Sequence, residues 1–215
     1  VTKALESNTT AIQETDSNGL TAFGADGFTV GSDAVYNNSS DTYLGWNWRA
    51  NGGTTSSNSN GSITSTVQAD PSGGFSIVTY TSNATAATVG HGLSSAPRLV
   101  IVKKVTTQAR DWIIYSTDLG PNKYLFLNKG DAAGTDTGLW LNTDSTSTVF
   151  SLSAGTTEVN NPSGETYLAY CFANIEGYCK VGTYTGNANA DGTFVYTGFR
   201  PAWLMIKRAT GVESW

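Results

Sequence analysis

Residues 96–104 read APRLVIVKK, and four consecutive apolar residues, Leu99 to Val102, stand at their centre. A short aliphatic run bounded by turn-forming residues is typical of a β-strand. A run that is apolar at every position has both of its faces covered by other parts of the protein. We therefore predict a central strand over Leu99–Lys104.

The same pattern recurs 104 positions later as RPAWLMIKR, residues 200–208. At that offset, YTSN at 80–83 also recurs as YTGN at 184–187, with no gap between the two matches. A second similarity links NNSSDTYLGW, residues 37–46, to NNPSGETYLAY, residues 160–170, with one inserted residue. Self-similarity of this kind indicates repeated structural units.

These matches divide the chain into four predicted parts. Residues 74–174 form one complete repeat of about 100 residues, 1–50 the C-terminal half of a preceding repeat, and 175–215 the N-terminal half of a following one. Residues 51–73 are rich in Gly, Ser and Asn, and we expect a polar connector there, because this composition buries little apolar surface. Half of a β-sandwich exposes its inner face, so the two halves are expected to need partners: each other, a neighbouring copy, or further chain.

Seven short apolar segments separated by turn residues follow one another in the complete repeat. Strands of this length and spacing are typical of an antiparallel β-sandwich. The predicted fold class is therefore all-β, with antiparallel sandwich repeat units of the jelly-roll or lectin-like kind. The predicted strands are 75–81, 99–104, 112–116, 124–128, 139–142, 149–152 and 166–173.

The composition argues against two classes of partner. Charged residues make up 13% of the chain, and 12 basic against 17 acidic residues give a net charge of −5. Without an excess of positive charge the chain has no electrostatic attraction to a phosphate backbone, so nucleic acid is not an expected partner. The longest apolar runs are far shorter than the roughly 20 residues that a membrane-spanning helix needs, so membrane insertion is not expected either.

Residues that carry catalytic chemistry are few. His91 is the single histidine, and we expect it to hydrogen-bond the backbone in a turn, because metal and acid–base sites need several converging groups. Two carboxylate pairs have spacings that a glycosidase allows: Asp111 with Asp118, and Glu158 with Glu165. Acidic residues in turns are the commoner explanation. The chain has no nucleophile elbow, phosphate-binding loop or zinc-protease motif, and we predict that it is not an enzyme.

Oxygen ligands for calcium are available between the predicted strands. Their spacing does not follow an EF-hand, and solvated turn residues account for them. We therefore predict no cofactor and assign no catalytic, cofactor-binding or metal-ligating residue. The candidate calcium ligands are Asp131, Asp136, Asp144, Asn128 and Asn142.

The two cysteines, Cys171 and Cys179, lie symmetrically about Ile175. A tight hairpin at 174–177 would place them opposite each other with Cα atoms about 5 Å apart, which is within disulfide range. A disulfide is one alternative, and two free thiols in a reducing compartment are the other.

Aromatic residues are plentiful, and most of them are expected in the core. An exposed Trp or Tyr beside Asn- and Asp-rich loops is also how lectins hold sugar rings, by stacking and a few hydrogen bonds. Carbohydrate binding is therefore kept as an alternative function. The tryptophans are Trp46, Trp48, Trp112, Trp140, Trp203 and Trp215.

Several motifs in order resemble a β-rich repeat domain of structural and tail-fibre proteins of marine tailed phages, including cyanophages. They are GFSIVTYT at 74–81, VGHGL at 89–93, APRLVIVK at 96–103, GFRPA at 198–202, TKALESN at 2–8, DGFTVG at 26–31 and YLGWNW at 43–48. The resemblance covers nearly the whole chain and carries no catalytic or binding residue with it.

The resemblance implies a bacteriophage virion component, with tail fibre or another surface appendage as its place. It also implies a homo-oligomer, for instance a trimer, in contact with other virion proteins. The predicted function is thus a non-enzymatic structural or adhesion module. The alternatives are a lectin-like module that recognises host surface glycans and, less favoured, a polysaccharide depolymerase.

Overall fold

The computed structural model of the chain describes residues 1–215, apart from the surroundings of Gly52. It is all-β, with one four-residue helix, α1 (Ala34–Asn37), and one 3₁₀ turn, Asn51–Gly53. The predicted all-β, antiparallel class is confirmed. The strands are β1 (Lys3–Ala4), β2 (Glu14–Thr15), β3 (Leu20–Phe23), β4 (Phe28–Val30), β5 (Ser56–Asn58), β6 (Ser65–Asp70), β7 (Phe75–Thr81), β8 (Ala87–Gly90), β9 (Leu99–Lys104), β10 (Ile113–Ser116), β11 (Lys123–Phe126), β12 (Gly134–Thr135), β13 (Val149–Leu152) and β14 (Thr166–Phe172).

Eight strands form one antiparallel sheet in the order β12-β11-β10-β9-β14-β7-β6-β5. The predicted central position of β9 is confirmed, because three strands lie on one side of it and four on the other. β14 lies between β9 and β7 and pairs with both. Its Tyr170 stands opposite Ile101 of β9 and opposite Ile77 of β7.

The main core lies on one side of this sheet, here called the first face. Alternate residues of β14, namely Tyr167, Ala169 and Cys171, are fully buried there. The layer above them contains the two-stranded sheet of β8 and β13, in which Val89 stands opposite Phe150. A large apolar side chain such as Val89 or Phe150 contributes about 1.5–3 kcal/mol when it leaves water. The first face is therefore the main source of stability.

The other side of the sheet, the second face, carries a smaller apolar cluster centred on Ile101, Trp112 and Ile114. The two ends of the chain cover part of it: Leu5 and Trp215 pack against this cluster. Both ends are also tied by indole hydrogen bonds. Trp112 Nε1 donates to the carbonyl of Glu6 at 2.8 Å, and Trp215 Nε1 donates to the carbonyl of Phe126 at 2.7 Å.

Residues 51–73 are the edge of the sheet, and the prediction of a polar connector is wrong. β5 and β6 lie in this segment, and β6 pairs with β7 from Ser65 opposite Tyr80 to Asp70 opposite Phe75. Its Val67 is buried in the main core. An edge strand of an antiparallel sheet needs apolar residues on one face only, so a polar composition is compatible with strand pairing.

The strand predicted at 139–142 is also wrong. Leu139 and Trp140 are buried as predicted for core residues, but Leu141 and Asn142 have φ angles of +55° and +48°. Backbone in this left-handed region cannot continue a β ladder. The segment is a turn that delivers Trp140 into the first face.

The terminal segments, 1–50 and 175–215, differ from the sheet in conformation. Residues 178–208, all described by the structure, lie outside the strands, although their sequence matches 74–104, which holds β7, β8 and β9. The division of the chain into repeats therefore stays a prediction.

Candidate functional site

Three tryptophans from opposite ends of the chain meet at the surface. The ring centroid of Trp203 lies 5.9 Å from that of Trp46 and 5.9 Å from that of Trp48, in edge-to-face arrangements. Their exposed fractions are 62% for Trp46, 44% for Trp48 and 49% for Trp203. Edge-to-face pairs of this spacing are favourable. We call these three residues the tryptophan cluster.

The tryptophan cluster stands on the second face of the sheet. Trp48 lies 6.4 Å from Phe75 and 6.2 Å from Phe172, measured between ring centroids. Phe75 begins β7, Phe172 ends β14, and the two are opposite each other in the strand register with their rings 4.9 Å apart. The row of rings continues along the sheet, because Tyr170 stacks on both Phe75 and Trp112. The sheet thus holds the base of the cluster in a fixed geometry.

The tryptophan cluster belongs to a larger set of exposed apolar side chains. Among the residues that the structure describes, the exposed large hydrophobic side chains lie in 1–48 and 178–212, with the exception of Leu141. Leu44 is 83% exposed and Phe194 is 86% exposed. Large exposed apolar patches mark interaction surfaces in soluble proteins. The terminal segments are therefore the candidate interaction region.

A groove of about 390 Å³ lies beside the row of rings, between the N-terminal segment and the second face. Trp112 and Tyr170, whose rings are stacked at 9°, line one side of it, and Lys3 and Gln13 supply polar groups. The Tyr170 hydroxyl is neutral at physiological pH, and burial raises its pKa further above the ordinary value. The volume of the groove is at the lower end of the range for small-ligand sites.

Two lysines of β9 are fully buried, which the sequence did not suggest. Lys103 faces the second face, where its Nζ donates to the carbonyls of Thr10 at 2.9 Å and Arg110 at 2.5 Å. Desolvation lowers its pKa, and the charge of Asp111 opposes this effect. The contact with Thr10 ties the N-terminal segment to the sheet. Lys104 faces the other side, with Nζ 3.8 Å from a carboxylate oxygen of Glu165.

His91 is buried and bonded to the backbone, as the sequence predicts. Its Nδ1 accepts a hydrogen bond from the Leu93 amide at 3.1 Å, and its Nε2 lies 3.2 Å from the carbonyl of Thr146. This arrangement fits the neutral ring with the proton on Nε2. Desolvation lowers the pKa of His91, and the hydrogen bond to Thr146 partly opposes it. His91 therefore links the end of β8 to the turn before β13.

The first carboxylate pair is occupied by local partners. Asp111 accepts from Asn128 Nδ2 at 2.8 Å and from Lys129 Nζ at 2.6 Å. Asp118 forms an ion pair with Arg98. Both acids thus serve to fix loop ends next to β10.

The second carboxylate pair is likewise engaged. Glu165 accepts from Thr106 Oγ1 at 2.6 Å, and this hydrogen bond lowers its pKa. Glu158 accepts from Thr157 Oγ1 at 3.2 Å. A general acid of a glycosidase needs the opposite shift, a raised pKa.

Three of the five candidate calcium ligands have other partners. Asp144 accepts from the Tyr115 hydroxyl at 2.9 Å, and Asp136 accepts from the Gly138 amide at 2.8 Å. The side chain of Asn128 accepts from the Trp112 amide at 2.9 Å. In the part of the chain that the structure describes, no three His, Cys, Asp or Glu residues are grouped so that they could hold a metal ion.

The hairpin that would have paired the cysteines is not formed. Cys171 lies within β14, opposite Ser76 and Val100, while the backbone of Cys179 pairs with Ile175, where the chain turns away from the sheet. Both cysteines are free thiols in this structure, so the disulfide stays a prediction without structural support. Burial raises the pKa of the Cys171 thiol to about 12 and raises that of Cys179 as well.

Comparison with known proteins gives one family. A protein-family profile described as "Domain of unknown function (DUF7483)" matches residues 1–215. No curated protein matches the chain, and no solved structure does. Among the described residues, no helix has the length and apolar character needed to cross a membrane.

Proposed function

This chain belongs to the DUF7483 family, a domain of unknown function, and we propose that it works as a non-enzymatic structural or adhesion module. In this proposal the eight-stranded sheet with its buried first face is the rigid part. The terminal segments on the second face are the contacting part.

The observation that carries this proposal is the tryptophan cluster on its aromatic base. Tryptophan is the residue type most enriched among those that dominate binding energy at interfaces. Trp48 is held by Phe75 and Phe172, so its contact surface is presented at little further cost in side-chain entropy. A structural module needs preorganised surface of this kind rather than a reactive group.

The sequence motifs also suggest where such a module would work. Their resemblance to repeat domains of phage structural proteins supports a place on the virion surface, in a tail fibre or another appendage. In that setting, sandwich-like repeats of about 100 residues would stack into a stiff extension that touches other virion proteins and further copies of itself.

Labelling of intact particles tests this setting. Antibodies raised against the 215-residue chain are expected to decorate an appendage of particles from a culture that produces the protein, as seen by immunogold electron microscopy. Antibodies raised against an unrelated β-sandwich are the control. If the antibodies recognise the protein in the lysate but leave the particles unlabelled, a virion role is contradicted.

Glycan binding is the second candidate function, and the groove beside Trp112 and Tyr170 favours it. An aromatic ring next to an ammonium and an amide is the arrangement that binds a sugar ring and its hydroxyls. Here the half-buried Tyr170 is the ring that a sugar would contact, because Trp112 is buried. The chain is expected to bind on a glycan array and to lose that binding when Lys3 and Gln13, which line the groove, are changed to Ala. Lys180→Ala, at an exposed position, is the matched control. An array without any hit from the wild-type chain would remove this candidate.

A further inference from the structure

We infer that the terminal segments pair with a second copy of this chain, through stretches that correspond to the three central strands β7, β9 and β14. This inference rests on the proposed function, because it names the partner of the proposed contact surface. It predicts a specific strand register between two copies.

The correspondence is fixed by sequence. An offset of 104 matches residues 178–185 to β7 and the flanking turn, and residues 203–208 to β9. An offset of 124 matches residues 43–48 to 167–172 in β14. In the sheet, β14 lies between β7 and β9 and is hydrogen-bonded to both. The terminal segments therefore carry a second set of the sequences that form these three strands.

Two strand pairs show that sequences related by a similar offset also share a local structure. β1 pairs with β2 so that Lys3 stands opposite Thr15, and β11 pairs with β12 so that Lys123 stands opposite Thr135. The two registers are identical at an offset of 120. In both pairs the lysine Nζ donates to the threonine hydroxyl at 2.6 Å. An N-terminal stretch thus adopts the same local structure as its counterpart in the sheet.

A second contact repeats in the tryptophan cluster. Trp48 corresponds to Phe172 and Trp203 to Leu99, and Phe172 and Leu99 stand opposite each other in the register of β14 and β9. Trp48 and Trp203 also meet, with ring centroids 5.9 Å apart. The terminal segments therefore already approach each other at the position where their counterparts pair.

In the single chain this approach does not extend into strand pairing, since residues 43–48 and 203–208 lie outside the strands and the two segments are anchored at different parts of the sheet. The N-terminal segment is held at β6, where Gln68 Nε2 donates to the carbonyl of Ala50 at 2.5 Å. The C-terminal segment is held near β11 and β12, where Lys207 Nζ donates to the carbonyl of Gly130 at 3.0 Å. β6 and β11 are five strand positions apart in the sheet, which is roughly 24 Å.

The side chains that strand pairing would cover are exposed in the single chain. Leu44 is 83% exposed and Leu204 is 68% exposed, although Trp46, Trp48 and Trp203 touch. Unpaired backbone in an apolar stretch favours the addition of a strand from another molecule. A second copy supplies a stretch of the right sequence, and reciprocal exchange satisfies both molecules.

Disulfide trapping tests the register. Leu168 stands opposite Lys103 in β14 and β9, so Leu44 of one copy is expected to stand opposite Lys207 of the other. The variant Leu44→Cys/Lys207→Cys, made in a Cys179→Ser background, is expected to give mostly covalent dimer or higher species on oxidation with diamide. Cys171 does not interfere, since burial raises the pKa of its thiol to about 12. The readouts are non-reducing gel electrophoresis and light scattering after size exclusion.

The matched control moves one cysteine by one residue. Leu44→Cys/Arg208→Cys places the second thiol on the opposite side of the same stretch and is expected to cross-link several-fold less, because alternate strand residues face opposite ways. If Lys207→Cys unfolds the C-terminal segment by removing its hydrogen bond to Gly130, the pair Leu44→Cys/Thr183→Cys serves instead. It corresponds to Leu168 opposite Thr79.

Three outcomes would overturn the inference: a disulfide formed within one monomer, equal cross-linking of the variant and its control, or no cross-link in either cysteine pair. None of these bears on the labelling of particles, so failure of the proposed function is detected separately.

Discussion

Tyr167 in β14 and Tyr43 in the N-terminal segment occupy matching positions of two similar sequences, in very different surroundings. Tyr167 is fully buried, stacked on Tyr80 at 5.4 Å, with its hydroxyl 2.8 Å from the carbonyl of Thr157. Tyr43 is 48% exposed, and its hydroxyl donates to the carbonyl of Ala34 at 3.0 Å. The apolar pattern thus specifies a strand only where two neighbouring strands and a covering layer exist. β14 has both, and residues 43–48 have neither in the single chain.

Replacement of each of these two tyrosines should change stability by very different amounts. Tyr167→Ala should lower the free energy of unfolding by about 3–5 kcal/mol, because it opens a cavity in the main core. Tyr43→Ala should cost less than about 1 kcal/mol at protein concentrations that keep the chain monomeric. Urea unfolding followed by tryptophan fluorescence measures both.

Equal losses from the two replacements would contradict the comparison, since Tyr43 would then belong to a core that the single chain already forms. A loss for Tyr43→Ala that grows with protein concentration would have a different meaning. It would show that Tyr43 becomes buried on self-association.

The central strands could be predicted because their signal is local. Leu99–Lys104 and Phe75–Thr81 were predicted with the bounds that the structure has, and the predicted strand at 166–173 ends one residue beyond β14. Alternating or continuous apolar residues carry this signal. β6 was missed because its polar residues mask the buried Val67, and the strand at 139–142 was predicted wrongly because a turn can also bury two apolar residues.

The candidate site could not be predicted from the sequence in the same way. Trp48 and Trp203 are separated by more than half of the chain, and their contact depends on where both segments leave the sheet. The sequence predicts most tryptophans in the core, which holds for Trp112 and Trp140 but not for the tryptophan cluster. The buried lysines of β9 were missed because lysine is almost never fully buried.

A pH titration compares His91 with its counterpart Val195. Since desolvation lowers the folded-state pKa of His91, the unfolded chain takes up the proton first as the pH falls through the ordinary value of about 6.5. Stability is therefore complete above that pH and is lost below it, by at most about 1.4 kcal/mol per pH unit. Urea unfolding between pH 7.5 and pH 5.5 should show a loss of stability that does not exceed about 1.4 kcal/mol.

Two variants test whether His91 causes this loss of stability. His91→Gln should remove most of the pH dependence, whatever its effect on stability itself. Val195→His, at a 43% exposed position, should add almost none. A pH dependence that survives His91→Gln unchanged would show that other groups cause it.

A smaller effect is expected at Ser76, whose counterpart is Lys180. Ser76 is fully buried opposite Cys171, and among the residues that the structure describes its hydroxyl has at most the Cys171 thiol, a weak hydrogen-bonding group, as a partner. Because a buried hydroxyl without a strong partner is unfavourable, Ser76→Ala should raise the free energy of unfolding by about 1 kcal/mol. Lys180→Ala should leave it unchanged. A loss of stability in Ser76→Ala, measured by thermal unfolding, would show that the hydroxyl is bonded after all.

The smallest effects are expected in the strand pairs β1–β2 and β11–β12, and they test whether the two pairs are equivalent. Lys3 and Lys123 each donate to a threonine at 2.6 Å in strand pairs of identical register. Lys3→Met and Lys123→Met should each cost about 0.5 kcal/mol, as expected for a hydrogen bond near the surface. Thr15→Val and Thr135→Val should cost similar amounts, and each Lys/Thr double variant should cost less than the sum of its singles.

Matching coupling energies from the two cycles would identify β1–β2 and β11–β12 as the same structural element. A coupling at Lys123 without one at Lys3 would mean that the N-terminal pair is only loosely formed until a second copy covers it.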